Sequence, residues 1–278
     1  MKKSILIIYI ISIFNIFHVN AQNVDGNKLV SVNIYSDFLQ AIPGLDINLF
    51  FVLKPEKKWH IYWENPGDAG LPTEVIFELP DGVTVMEPEW ETPQKILFAG
   101  MANYGYENET TIMYPLRIDR NFKGNEIKVK ATVKWLACKE ECVPGSKKIE
   151  FTVILGKIPE YNEDMVIPKS KFLKNRSLRL PNFGCKSSIN ENKLIFEIDK
   201  DLISKDVKKL EFYPSEQGFI NNGAKQILKN GKKKVFLEVE LDKFREGNPK
   251  EIKGIFVADK PIIHGFDNYS INIETTIH

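Results

Sequence analysis

Long apolar runs are scarce in this chain: beyond residue 21 no segment approaches the roughly 18 consecutive apolar residues that a membrane span needs, so no integral membrane segment is expected in the body of the protein. A dominant charge is missing as well. Without Lys2 and Lys3, the 38 Lys and Arg become 36 against 37 Asp and Glu, a formal net charge of −1, which leaves no electrostatic footprint for nucleic acid. The run Lys232-Lys233-Lys234 is answered by Glu238, Glu240 and Asp242 and reads as a solvated edge. Gly-x-Ser-x-Gly, His-Glu-x-x-His and phosphate-cradling glycine loops do not occur, and nothing singles out one pair of the many carboxylates for acid–base work. No fixed-period repeat and no low-complexity tract interrupts the chain.

The chain does open with an address. Lys2 and Lys3 precede the apolar run Ile5 to Phe17 and a Val19-Asn20-Ala21 step, the layout of a secretory signal peptide over residues 1–21 with cleavage after Ala21. The expectation is an exported, soluble, periplasmic protein. No cysteine follows the apolar run, so no lipid-attachment site is offered there. The remaining length exceeds the roughly 100 to 150 residues of a typical domain and predicts two domains.

Apolar and polar residues alternate in short blocks rich in β-branched and aromatic types: Leu29 to Tyr35, Leu45 to Leu53, Glu74 to Leu79, Thr111 to Ile118, Ile127 to Leu136 and Lys148 to Ile154. These predict strands, and turn clusters such as Asn65-Pro66-Gly67-Asp68, Pro80-Asp81-Gly82 and Lys123-Gly124-Asn125 punctuate them as in an all-β sandwich. The polar stretch 158–181 reads as a linker with a short helix that spaces Met165, Phe172 and Leu173. Strand blocks resume at Lys193 to Ile198, Val207 to Tyr213, Lys234 to Leu241, Glu251 to Ala258 and Tyr269 to Thr276. The expected architecture is therefore all-β, with a first domain over 22–157 and a second, smaller β-sandwich-like domain over 182–278.

Two of the 3 cysteines lie in "WLACKEECVPG", Trp135 to Gly145. Alternation puts Ile127, Val129, Ala131, Val133 and Trp135 on one face, and the strand delivers Cys138 to its far end, with Lys139-Glu140-Glu141 as a polar turn before Cys142. Three intervening residues in a turn bring two Cα atoms within the roughly 5.5 to 6 Å that a disulfide prefers. Such a small ring gains only about 1.5 to 2.5 kcal/mol from chain entropy, a poor placement for a stability device. A zinc or copper site competes, but its further ligands would have to come from Cys185, His60, His264 or His278, all distant in sequence and in no paired spacing. Structural staple, metal site and redox pair all remain open on spacing alone.

The surrounding residues carry a resemblance. "WLACKEECVPG" resembles the active-site segment in the periplasmic N-terminal domain of the thiol–disulfide interchange protein DsbD family, and more closely that of ScsB-type exported regions. "WHIYWENPGDAGLPTEV", Trp59 to Val75, is similar to that family's aromatic strand followed by a Pro-Gly-Asp turn and a Gly-Leu-Pro step. In the other half, "FYPSEQGFINNGAKQ" and "GIFVAD" resemble the second β-domain of ScsB-type regions. The resemblance implies an immunoglobulin-like sandwich in which Cys138 and Cys142 pass electrons by thiol–disulfide exchange, with no cofactor and with Cys142 joined to partners while Cys138 resolves. It also implies a cap over the pair: "FAG", Phe98 to Gly100, is similar to the Phe-x-Gly of the family's cap loop and makes Phe98 the candidate. The implied partners are a membrane electron donor of the CcdA or DsbD type and thioredoxin-fold periplasmic proteins. The three-residue cysteine spacing is shorter than that of the DsbD domain and fits the ScsB-like pattern. Neither the family's membrane core nor its thioredoxin domain is present in the chain, so it is expected to be one station on an electron route. The rival reading is an exported β-sandwich scaffold or binding module with a fixed disulfide.

Four further groups invite readings of their own. Cys185 leaves the cysteine count odd, and burial as a small apolar residue is its expected fate. Trp59, His60, Tyr62 and Trp63 read as core and covering aromatics of one strand. Asp68 reads as a turn former bonding nearby backbone; Tyr104 and Tyr106 read either as a contact surface for a partner or, slightly favoured, as cross-strand tyrosines of a hairpin.

Overall fold

The structure is a computed structural model that describes residues 24–98, 100–180 and 183–278. The signal-peptide reading of residues 1–21 lies outside the described residues. The first half contributes β1 (Val30–Ser36), β2 (Phe38–Ala41), β3 (Asp46–Pro55), β4 (Ile61–Gly67), β5 (Glu74–Glu78), β6 (Val83–Val85) and β7 (Glu89–Trp90). It continues with β8 (Gln94–Phe98), β9 (Met101–Tyr106), β10 (Thr110–Ile118), β11 (Glu126–Cys138), β12 (Cys142–Leu155) and β13 (Glu160–Tyr161). After helix α1 (Val166–Asn175) come β14 (Cys185–Asn190), β15 (Lys193–Asp199), β16 (Leu210–Pro214), β17 (Ile227–Asn230), β18 (Lys234–Glu240), β19 (Glu251–Ala258) and β20 (Ser270–Thr276).

Two sheets form the first sandwich. One runs β1-β3-β10-β6 with β7 also on β10, and the other runs β13-β2-β12-β11-β5; a small sheet, β4-β9-β8, flanks them. The pairings are antiparallel except β12 with β2. Alternation along β11 does what the sequence suggests: Ile127, Val129, Ala131, Val133 and Trp135 are buried against Leu49, Phe51, Leu53, Ile112 and Leu116 of the facing sheet's strands. Each such aliphatic side chain taken fully out of water contributes about 1.5–3 kcal/mol. At the end of β11 the alternation breaks, because Ala137 and Cys138 are both buried. Consecutive buried residues mean that both faces are covered there, and the cover over Cys138 comes from the segment leading into β4.

The stretch read as a linker is packed in place. Phe172 and Met165 press on Phe50 and Met113 of β3 and β10, with the Phe50 and Phe172 rings edge to face at 5.8 Å, while Leu173 stays partly exposed. Beyond it, β14-β15-β18-β17 and β16-β19-β20 make a second two-sheet sandwich around Leu194, Phe196, Phe212, Leu237 and Phe256. Lys234 pairs with Glu197 and Asp199 of neighbouring β15, not with the acids farther along its own strand. Tyr213 and Ile255 of the second sandwich are buried in the core cluster of the first, so one apolar interior crosses the domain boundary. No helix of the described residues is long and apolar enough to cross a membrane.

Candidate functional site

β11 and β12 form a long hairpin whose ladder ends with Cys138 directly opposite Cys142. The three-residue turn is closed by the Lys139 N–H donating to the Glu141 carbonyl at 3.0 Å. The cysteines are joined, with S–S 2.04 Å and Cα–Cα 4.1 Å. A bond between cysteines only 4 positions apart in sequence removes little freedom from the unfolded chain, about 2 kcal/mol for so short a ring. The two sulfur-bearing residues differ sharply in environment: Cys138 is 0% exposed, whereas Cys142 is exposed.

Cys138 is held on its buried side by His60, just ahead of β4, and by Tyr62 within it. His60 forms an antiparallel bridge with it, donating its backbone N–H to the Cys138 carbonyl at 3.0 Å and accepting the Cys138 N–H at 2.9 Å. Two residues on, the Tyr62 hydroxyl, 1% exposed, donates to Cys138 Sγ at 3.1 Å. His60 Nε2 lies 3.3 Å from the same hydroxyl, and the His60 ring meets the rings of Tyr62 and Phe98 edge-on at 5.2 and 5.7 Å. Burial holds the His60 imidazole below its ordinary range and the Tyr62 phenol above its own, so both are neutral near pH 7. The positions i and i+2 of one strand share a face, which is how a single segment presents both side chains to one sulfur.

The motif around Tyr62 explains its fixed position. Thr73 Oγ1 donates to the Tyr62 carbonyl at 2.8 Å. Gly70 sits at φ +109°, and a Cβ there would meet the Tyr62 ring at 2.5 Å, so only glycine lets the chain turn and close against the phenol. On the other side of the hairpin, Pro144-Gly145 receives the turn formed by Gly26, Asn27 and Lys28: the Trp135 indole donates to the Gly26 carbonyl at 3.2 Å, and a Cβ on Gly145 would lie 2.4 Å from that oxygen.

Asp68 reaches farther than a local turn. Its carboxylate accepts the Ala102 N–H at 2.7 Å and the Asn222 side-chain amide of the second domain at 2.8 Å. Asn65 donates to the Pro214 carbonyl, Gln217 to the Gly67 carbonyl and Ser215 to Glu64, while Tyr104 stacks on Tyr213 at 4.4 Å and donates to Asn222. The Pro-Gly-Asp turn of the first domain and the "FYPSEQGFINNG" segment of the second are thus two halves of one interface. Tyr106 is buried beside it, stacked near Trp90, so neither tyrosine is a free surface.

Of the residues singled out in sequence, Cys138, Cys142 and Phe98 come together, Phe98 through His60. Cys185 does not: it opens β14 in the second domain, and burial together with the Glu197 charge pushes its thiol up to about 12, which leaves it protonated near neutrality. No group of three or more His, Cys, Asp or Glu side chains arranged to hold a metal occurs among the described residues. Tyr62 and His60 as neighbours of the sulfur were not foreseen. Their only signal was the alternating aromatic strand, which core packing explains equally well.

Residues 32–154 match the family described as "Thiol:disulfide interchange protein DsbD, N-terminal". Among solved structures, the N-terminal periplasmic domain of ScsB from Proteus mirabilis is similar over 90% of this chain and 94% of its own, at 15% identity and a TM-score of 0.64, which shows a shared fold through both β-domains. The reduced DsbD N-terminal domain from Neisseria meningitidis covers 51% of this chain and 96% of its own at 14% identity, with a TM-score of 0.30. No curated protein matches the chain.

Proposed function

From the premise that the first half of the chain is a DsbD N-terminal-like domain, we propose that the protein relays electrons by thiol–disulfide exchange through Cys138 and Cys142. The observation that carries this reading is the asymmetry of the bridge inside that domain: one sulfur-bearing residue exposed at a hairpin tip, the other fully buried. An incoming partner thiolate attacks Cys142 Sγ and forms a mixed disulfide, the Cys138–Cys142 bond breaks, and its electron pair leaves on Cys138 Sγ. A second thiol of the partner then displaces Cys142, so that the partner dithiol becomes a disulfide and this pair a dithiol. Run in reverse, with Cys142 as the attacking thiolate, the same geometry passes the electrons on.

Phe98 is proposed as a cap, acting on the pair through its edge contact with His60. The partners proposed are a membrane donor of the CcdA or DsbD type and thioredoxin-fold proteins, and the setting is the periplasm, as for the ScsB domain of similar fold. The division into a signal peptide at 1–21, a redox domain at 22–157, a connecting segment at 158–181 and a second domain at 182–278 belongs to the same proposal. The test is capture: Cys138→Ser leaves Cys142 exposed with no resolving thiol and accumulates mixed disulfides with thioredoxin-fold partners, whereas a fixed structural bridge yields none.

A further inference from the structure

The exchange step leaves a charge where water cannot reach it. When the bridge opens, the electron pair arrives on a sulfur whose residue is 0% exposed, and an unsolvated thiolate costs free energy unless the protein supplies a donor. One donor is in place, the Tyr62 hydroxyl at 3.1 Å, and behind it stands His60 Nε2 at 3.3 Å from the same oxygen. We infer that Tyr62 is a catalytic hydrogen-bond donor to the departing Cys138 thiolate and that His60 is its positioning residue and proton reservoir, coupling reduction of the pair to protonation of His60. This inference rests on the exchange reading.

A disulfide sulfur is a weak acceptor and a thiolate a strong one, so the Tyr62 bond strengthens as the S–S bond breaks and favours the transition state over the resting state. Because the phenol donates to sulfur, its oxygen accepts, which assigns the Nε2–H tautomer to His60. The oxidised site holds His60 neutral; once a negative sulfur lies at the end of the chain, a proton taken up at Nδ1 makes an imidazolium that offsets it. The groups facing His60 are Tyr62 of its own segment, Phe98 of β8 and Cys138 of β11, with the exposed Glu107 beyond β9 adding a charge that favours the imidazolium. The hairpin residues Lys139, Glu140 and Glu141 are exposed. Gly70 and Thr73 pin Tyr62, so the Pro-Gly-Asp-Ala-Gly motif serves the sulfur as well as the turn.

The test is the rate of reduction by glutathione, expressed per glutathione thiolate between about pH 5 and 9, for the wild type, Tyr62→Phe and His60→Gln, with the protonation of His60 followed by NMR in the oxidised and reduced wild type. The bond at stake goes to a charged group, so Tyr62→Phe is expected to slow reduction about tenfold. His60→Gln keeps an N–H for the phenol but cannot titrate: it is expected to hold the rate near pH 8 and to lose the acceleration that the wild type shows as pH falls. The His60 proton affinity is expected to rise about tenfold, one pKa unit, on reduction. Equal rates and flat profiles in all three proteins, with unchanged His60 titration, overturn the inference while leaving exchange intact. A wild-type pair that glutathione does not reduce overturns both. If Tyr62→Phe does not fold, the wild-type titration and the His60→Gln profile decide.

Discussion

At the scale of single residues, the buried sulfur and the exposed one predict unequal mutants. Cys138→Ser traps partners and Cys142→Ser does not, since the sulfur that remains in the second variant sits on a fully buried residue; gel analysis under non-reducing conditions separates the two. Neither substitution is expected to lower stability by more than about 2 kcal/mol, the value of so small a ring. His60 gives a pH prediction with a definite sign. Its pKa in the folded state lies below the ordinary 6.5, so the unfolded chain binds the proton first and stability is lost as pH falls from about 6.5 through the folded value. Glu64 and Glu91, whose carboxyls burial pushes up, act oppositely: their contribution is full below the ordinary 4.5 and lost as pH rises through their folded values. Urea unfolding of the oxidised wild type against His60→Gln isolates the histidine, and the variant is expected to be the less pH-sensitive between about pH 6.5 and 5.

Sequence exposed the cysteines and their turn at this scale because a strand ending in Cys-x-x-x-Cys has few local readings. It could not show which sulfur is buried, since that depends on the aromatic segment of residues 59–63 crossing from elsewhere in the chain. Nor could it show that Gly70 faces a phenol eight residues earlier.

At the scale of elements, the β11–β12 hairpin depends on close backbone approach at Gly145. Adding a methyl group 2.4 Å from the Gly26 oxygen forces the N-terminal turn off the hairpin, and Gly145→Ala is expected to cost about 1–3 kcal/mol in urea unfolding. The long strands were legible wherever one face is wet and the other buried, so that period 2 survives into the sequence. The blocks at Ile127 to Leu136 and Glu251 to Ala258 reappear as β11, one residue longer at Glu126 and two at Cys138, and as β19 with the same bounds. Short strands such as β6, β7 and β17, with two to four residues each, carry too few alternations to read. The connecting segment hid its anchoring for another reason. Met165 and Phe172 reach the outer face of β3 and β10 from a helix with only a loose apolar spacing, so their burial is a tertiary fact.

At the scale of the whole molecule, the two sandwiches share an interior through Tyr213 and Ile255 and an interface that the Asp68 turn organises. They are therefore expected to unfold together. All 4 tryptophans, Trp59, Trp63, Trp90 and Trp135, lie in the first domain and Cys185 lies in the second, so tryptophan fluorescence and Cys185 thiol labelling report separate halves; coincident urea midpoints are expected, and a gap between them would show independent domains. Sequence suggested two domains but not their union, because neither "NPGDAG" nor "FYPSEQG" reveals that it faces the other.

The central claim is that the Cys138–Cys142 bridge exists to be opened. Its reduction potential tests this most directly, by equilibrating the purified chain with graded glutathione or dithiothreitol buffers and trapping free thiols. The account predicts a midpoint of roughly −180 to −270 mV, within reach of thioredoxin-fold partners. A midpoint below about −300 mV would contradict it and mark the bridge as structural.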